Sequence, residues 1–256
     1  MALDAETTED AVLGGRLTLR QPKRGHRFGH DAILLAAATD AQPGNLAVDL
    51  GAGVGTAGLA LAHRVPKLSV ALVEVDPILA DLARENAARN KLADRVLVAT
   101  LDVNAGVQDF TRAGLRPECA QHVLMNPPFN DPMRQNASPD SGRRHAHTAS
   151  SDTLAQWVDR ASLLLVQLGT LTLIWRASGL AEVLTAVAGF GGITVLPIHP
   201  KPPAAAIRVI VRAVKGSAAP LVLLPALTLN DADGKPSAEA EAILRNGACL
   251  RSIASQ

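Results

Sequence analysis

Apolar positions along the chain fall into short blocks that alternate between two periods. Leu46–Leu50, Leu68–Val75, Val96–Leu101, Gln121–Met125 and Leu171–Trp175 are almost continuously apolar and are bounded by Gly, Pro, Asp or Asn. Such runs predict strands buried on both faces. Between them the spacing becomes helical. Thr56–Val65 predicts a helix that stops at Pro66. Asp76-Pro77 opens the next, with a capping carboxylate followed by proline at the first helical position. Its predicted apolar face is Ile78, Leu79, Leu82 and Ala83, with Arg84, Glu85, Asn86, Arg89 and Asn90 on the polar side. Thr153–Gln167, stopped at Gly169, and Leu180–Ala188 are two more helices. Strands alternating with helices imply βαβ units: an α/β fold with a mostly parallel sheet covered on both faces.

The two ends differ from this middle. Met1–Asp10 reads as a loose tail and Leu17–Arg20 as a short strand. Asp31 is placed to cap an apolar helix, Ala32–Thr39. Near the other end, Ile193–His199, Ile207–Val214 and Leu221–Leu229 are β-rich, with Pro and Gly loops between them. They predict antiparallel strands closing one edge of the sheet, and Ser237–Asn246 predicts a final short helix. Asn130–Ser150 is polar and rich in Ser, Pro, Arg and His, a length of loop associated with function. With no repeat and no break in composition, the expectation is one domain over residues 1–256. Residues 1–45 form an N-terminal extension and capping helix, and residues 46–256 the core.

Composition narrows the possibilities. The chain has 256 residues, 48% hydrophobic but only 2% aromatic, so its core is built from Ala, Val, Leu and Ile. Cys119 and Cys249 are far apart, which argues against a disulfide framework or a zinc site and fits a reducing, cytoplasmic setting. His145 and His147 lack a third ligand at suitable spacing, so no metal is expected. The N-terminus is acidic and polar, unlike a secretory signal, and no apolar run is long enough to span a bilayer. A net charge of +1 neither favours nor excludes nucleic acid, and the oligomeric state is not legible.

Candidate chemistry lies at the predicted strand ends. The first strand runs into Asp49-Leu50-Gly51-Ala52-Gly53-Val54-Gly55, a loop where glycine lets the backbone turn sharply and a ligand approach it. Three readings stand. Gly53-Val54-Gly55-Thr56-Ala57-Gly58 matches the dinucleotide pattern G-x-G-x-x-G, though offset from the strand by Gly51. The acidic-x-G-x-G-x-G pattern from Asp49 fits without an offset and resembles the first motif of class I methyltransferases. A ligand-free structural turn is the third. Glu74 ends the second strand, where a carboxylate can accept both hydroxyls of a ribose. Asp102 follows the third strand, and the neighbours Val75 and Val103 join the expected nucleoside pocket. Asp76 competes with Glu74 but already has a role as a helix cap.

Asn126-Pro127-Pro128-Phe129 ends the fourth strand, over the carboxyl edge where open α/β sheets bind ligands. An exocyclic amine of adenine is a weak nucleophile because its lone pair is delocalised into the ring. Two acceptors aimed at its hydrogens favour the pyramidal nitrogen that attacks. The Asn126 side-chain oxygen and the Pro127 carbonyl supply them, the consecutive prolines stiffen the backbone, and Phe129 offers a stacking face. A plain proline-rich turn is the alternative for this tetrapeptide alone. A glycine loop, Glu74, Asp102 and NPPF, in order and each at a strand end, favour the enzyme.

These residues, together with Phe28-Gly29-His30-Asp31-Ala32-Ile33-Leu34-Leu35, the Arg84-Glu85-Asn86 stretch, Lys201-Pro202-Pro203 and Arg208-Val209-Ile210-Val211, carry a resemblance. The sequence resembles the class I amino-methyltransferases with an (N/D)-P-P-(F/Y/W) motif, in particular the bacterial enzymes that methylate an adenine amine beside the anticodon of valine tRNA. The resemblance implies a Rossmann-like, seven-stranded, mostly parallel sheet with an antiparallel C-terminal edge, and S-adenosylmethionine as cofactor. It implies cofactor contacts from Asp49, Gly51, Ala52, Gly53, Gly55, Glu74, Val75, Asp102, Val103 and Asn126, and catalysis by Asn126, Pro127, Pro128 and Phe129. Phe28, His30 and Asp31 are a candidate cofactor lid. The same tetrapeptide occurs in enzymes that methylate protein glutamine, and a small-molecule methyltransferase or a dinucleotide oxidoreductase are further alternatives. For tRNA, the candidate contacts are Arg24, Arg27, Arg143, Arg144 and Lys201. They belong to three basic groups: Arg16, Arg20, Lys23, Arg24 and Arg27; the residues of the long loop; and Lys201, Arg208, Arg212 and Lys215. Convergence of these at the rim of the site would make a phosphate track; ordinary solvated charge is the alternative.

Overall fold

The computed structural model describes residues 6–23, 29–128 and 142–250, and of residues 142–152 the backbone only. The chain opens with an antiparallel hairpin, β1 (Thr7–Val12) and β2 (Leu17–Pro22). Thr7–Asp10 therefore belong to a strand and not to the loose tail expected from their polarity. Thr, Glu and Asp suffice there because β1 lies half-exposed outside β2, whose Leu17 and Leu19 face the core.

Helix α1 (His30–Ala38) begins two residues earlier than expected, after Gly29, and no side chain caps it. Asp31 instead sits in the first turn and pairs with the guanidinium of Arg208 at 2.9 Å. The regular alternation follows: β3 (Leu46–Leu50), α2 (Thr56–Arg64), β4 (Ser69–Glu74), α3 (Pro77–Arg89), β5 (Val96–Thr100), α4 (Val107–Arg112), β6 (Ala120–Met125) and α5 (Gly142–Leu164). It continues through β7 (Leu165–Arg176), α6 (Leu180–Ala186), β8 (Phe190–His199), β9 (Arg208–Lys215), the short β10 (Val222–Leu223) and β11 (Leu227–Thr228), and α7 (Ala238–Asn246).

The main sheet has the order β5-β4-β3-β6-β7-β9-β8, with β10 and β11 both added along β8. The strand β9 runs antiparallel to both β7 and β8, and the other pairings are parallel. The expected seven strands and antiparallel edge are present. The Leu221–Leu229 run divides into two two-residue strands parallel to β8, in place of one antiparallel strand.

Residues of the central strands alternate between two cores. Val70, Leu72 and Leu124 pack with α1, α2, α7 and the hairpin; Ala71, Val73, Val123 and Met125 pack with α4, α5 and α6.

Three local differences have physical causes. Helix α5 already covers Gly142–Ser150, part of the expected loop, and ends at Leu164 where pairing with Ala120 begins. Gly169 is therefore not a helix stop. It lies inside β7, next to Leu168 at φ +61°, where the register with β6 shifts. Helix α3 buries Ala80, Leu82, Ala83, Asn86 and Ala87, and leaves Ile78 exposed. The buried face is rotated because the Asn86 amide finds backbone partners in the interior.

Candidate functional site

The carboxyl ends of β3, β4, β5 and β6 align. Leu50 is in register with Val73 and with Met125, and Glu74 with Thr100. Asp49 to Gly55, Glu74 and Val75, Asp102 and Val103, and Asn126 to Pro128 therefore meet along one edge. At the ordinary strand spacing Glu74 and Asn126 stand roughly 10 Å apart.

The glycine loop is closed on itself. The N–H groups of Gly51 and Ala52 both donate to the Val73 carbonyl, and that of Gly55 to Ala52. Gly53 N–H donates to Glu74 Oε2 at 2.8 Å. Asp49, buried at the end of β3, accepts from Gly58 N–H at 2.8 Å through Oδ2. That bond puts a carboxylate on the first turn of α2, the position where a dinucleotide loop presents N–H groups to a pyrophosphate. The acidic reading of the motif is the one whose hydrogen bonds are realised. Burial pushes the Asp49 carboxyl up to about 7, the Gly58 N–H opposes the shift, and the Glu74 charge adds to it.

Gly51 and Gly53 have left-handed φ values of +70° and +57°, a region that favours glycine. A Cβ on Gly53 would meet no atom within 4 Å, so the loop is open there. A Cβ on Gly51 would lie 2.4 Å from the indole of Trp157.

Glu74 is only 7% exposed, yet its carboxylate is oriented outward from β4 by two backbone donors, Gly53 N–H at 2.8 Å and Asp76 N–H at 2.9 Å. Each oxygen keeps a lone pair for a ligand hydroxyl. Beside it Val75 is 60% exposed, an apolar surface at a strand end suited to a flat base. Asp76 caps α3 through Ile78 N–H, as expected. Asp102 is exposed and closes its own turn by accepting from Asn104 N–H, and Val103 is buried beneath it.

Asn126 follows β6. Its Oδ1 is buried and has no donor among the described residues. Buried acceptors are rarely left unpaired, and such an atom at the sheet edge where α/β folds bind ligands is a candidate ligand contact. Pro127 is buried and Pro128 exposed. Phe129 lies outside the described residues, as do Phe28, Arg24 and Arg27. Open space over Gly53, a fixed carboxylate at Glu74, apolar Val75 and the orphaned Asn126 Oδ1 fit a nucleoside cofactor with an amine acceptor beside it. The buried Glu74 carboxylate, with the Asp49 carboxyl behind the loop, suits a cationic cofactor better than a pyrophosphate.

The methyltransferase small domain family matches residues 28–189. The chain belongs to that family. A tRNA1(Val) (adenine(37)-N6)-methyltransferase of Porphyromonas gingivalis is similar at 32% identity over 163 residues, and the chain spans 62% of that relative's length. A solved structure described as a predicted O-methyltransferase, from Agrobacterium tumefaciens, is 30% identical with a TM-score of 0.72, covering 86% of this chain and 98% of that one. The 16S rRNA N2 methyltransferase of T. thermophilus, solved with AdoMet and guanosine, is 18% identical with a TM-score of 0.56 over 82% of this chain and 50% of that one. It shares the fold, the Rossmann-like class I methyltransferase sheet.

Other expected residues of this methyltransferase are distributed less favourably. His30 is exposed at the start of α1, and Asp31 is held by Arg208. Arg143 and Arg144 fall in α5, where only the backbone is described. Lys201 is exposed, just beyond the carboxyl end of β8. Several other members of the basic groups have partners within the protein. Arg20 pairs with Glu85, Lys23 with Glu6 and Lys215 with Glu118, and Arg16 donates to the Asn246 carbonyl. Arg212 and Lys215 also lie toward the far end of the sheet, where Lys215 reaches Leu165 at the start of β7.

Three contributors were missed by sequence reasoning. Trp157 and Arg160 support the site from α5, and Asn86 supports it from α3. The Asn86 amide donates to the carbonyls of Val54 and Arg20 and accepts from Arg20 N–H. The i, i+4 pair Asn86 and Asn90 was the available signal, since Asn90 serves Thr18 in the same way.

Proposed function

We propose that this chain transfers a methyl group from S-adenosylmethionine to the exocyclic amine of an adenine in tRNA. The observation that carries the reading is the buried Oδ1 of Asn126, without a donor among the described residues, beside a closed glycine loop and Glu74. Glu74 and the turn at Asp102 would hold the ribose and base of the cofactor, Val75 would pack on the base, and the opening at Gly53 would admit its chain. When bound, the cofactor supplies an electrophilic methyl group.

The protein's own part is positioning and polarisation. Asn126 Oδ1 and the Pro127 carbonyl accept the two amine hydrogens, which localises the nitrogen lone pair for attack. Phe129 stacks on the base. No strong base is required, because the methylated nitrogen is acidic and loses its proton to water. Residues 1–256 act as one methyltransferase domain, and a tRNA substrate places it in the cytoplasm. No helix among the described residues is long and apolar enough to cross a membrane.

The relatives named for tRNA adenine support this acceptor. The Agrobacterium tumefaciens relative is described as a predicted O-methyltransferase; a planar double acceptor suits an amine with two hydrogens better than a hydroxyl with one. Incubation with methyl-labelled cofactor and either total tRNA or total protein decides the acceptor. Label in tRNA is expected; label in protein alone would transfer the same pocket to a glutamine amide and reject the proposal.

A further inference from the structure

One helix face supports two separate parts of the candidate cofactor site. Helix α5 buries Leu154, Trp157, Val158, Ala161 and Leu164, a helical stripe packed on the sheet. Trp157 lies on the underside of the glycine loop, where a side chain on Gly51 would collide with its ring at 2.4 and 2.8 Å. One turn later Arg160 reaches the loop after β5. Its Nε donates to the Val103 carbonyl at 3.1 Å and its Nη2 to the Ala105 carbonyl at 2.5 Å. Its guanidinium lies 4.7 Å from the centre of the Phe110 ring, which is fully buried.

The Asp102 turn follows a Leu101 N–H bond to the Glu74 carbonyl and is seated by the buried Val103 side chain. Within it, Asn104 and Ala105 N–H groups bond back to Asp102, which shapes the turn but does not attach it to the body of the protein. Arg160 attaches it further. A planar donor fork to two carbonyls fixes both position and orientation, and a lysine cannot reproduce it. Trp157 acts by shape: its ring fills the space that the bare Gly51 leaves, so loop and helix set each other's position.

We infer that Trp157 and Arg160 are positioning residues of the cofactor site, setting cofactor affinity without touching the cofactor. This rests on the reading of that site as one for S-adenosylmethionine. Both residues act before methyl transfer, so their loss weakens binding and leaves the rate of the loaded enzyme nearly intact.

The test measures S-adenosylhomocysteine binding by calorimetry for the wild type, Arg160→Met, Arg160→Lys, Trp157→Leu and Trp157→Phe, with thermal unfolding of each free protein. Arg160→Met is expected to weaken binding about tenfold or more, Arg160→Lys less, and Trp157→Phe least. KM for the methyl donor should follow the same order while kcat stays within about threefold of wild type. Should Arg160→Met or Trp157→Leu fail to fold, the milder pair decides. The wild-type emission of Trp157 is a second readout: saturation with S-adenosylhomocysteine should change it, and Trp157→Phe should lose that change. Folded variants that bind within twofold of wild type, or that lose kcat at unchanged affinity, overturn the inference, as does an emission unmoved by ligand. Failure of the wild type to bind S-adenosylhomocysteine is a separate result, and rejects the cofactor reading itself.

Discussion

Two asparagines with buried amide oxygens occupy opposite situations in this molecule. In the seam between the hairpin and α3, Asn86 is fully buried and its amide makes three bonds, to Arg20 N–H at 2.7 Å, the Arg20 carbonyl at 3.0 Å and the Val54 carbonyl at 3.0 Å. With Asn90 it serves the free edge of β2 as a further strand would, pairing alternate residues Thr18 and Arg20. At the carboxyl end of β6, Asn126 presents a buried oxygen with no donor among the described residues. The same side chain serves the fold in one place and, on the proposed reading, a ligand in the other. A satisfied buried amide adds stability, whereas an unsatisfied one costs stability and is retained for what it binds.

The largest expected effect separates the two. Asn126→Ala should lower turnover about a hundredfold or more, by analogy with removal of one preorganised transition-state contact. It should shift stability by less than about 0.5 kcal/mol, since its Oδ1 has no donor among the described residues. Turnover within a few-fold of wild type would break the comparison. Asn86→Ala should do the reverse: a loss of about 3 kcal/mol in urea unfolding, from three orphaned partners in a partly buried seam, with residual turnover in the folded fraction. A stability change under about 1 kcal/mol would show that the seam does not need its amides.

Glu74→Gln tests a carboxylate that belongs to both situations. Each of its oxygens accepts a backbone N–H, from Gly53 and Asp76. An amide must turn its NH2 toward one of those donors. Cofactor affinity is expected to fall about tenfold, corresponding to roughly 1.4 kcal/mol, and calorimetry with S-adenosylhomocysteine measures it.

The last test concerns Asp49 and is read as a dependence on pH. Its folded pKa of about 7 lies above the ordinary carboxylate value of 3.8, because burial disfavours the charge. The folded state then holds a proton that the unfolded chain has released, so this group's contribution to stability is full below about pH 4 and is lost as pH rises through 7. Asp49→Asn keeps an oxygen for Gly58 N–H and removes the ionisation. The difference in urea midpoint between variant and wild type should therefore grow from pH 5 to pH 8, in the variant's favour. A difference independent of pH would contradict the assignment.

Much of this architecture was legible because the central strands are buried on both faces. Continuous apolar runs ended by Gly51, Pro77 or Asn126 bracket them closely, so every chemistry-bearing strand end was placed correctly. The misses come from partners distant in sequence. Strand β1 is polar because β2 separates it from the core and leaves it facing solvent, and α3 turns Asn86 inward because β2 has an open edge there. Asp31 is drawn from capping by Arg208, which lies far along the chain on β9. Trp157 and Arg160 carried no local signal, because their importance lies in Gly51, Val103 and Ala105 on the other side of the fold. For the basic groups, a count of arginines and lysines does not show which of them already face carboxylates, as Arg20 faces Glu85 and Lys215 faces Glu118.

The most direct measurement uses labelled methyl donor and unmodified tRNA, followed by digestion to nucleosides, with the wild type and Asn126→Ala side by side. The account predicts label on the exocyclic nitrogen of adenosine with the wild type, and almost none with the variant although it still binds S-adenosylhomocysteine. Label on ribose oxygen, or equal labelling by the two proteins, would contradict it.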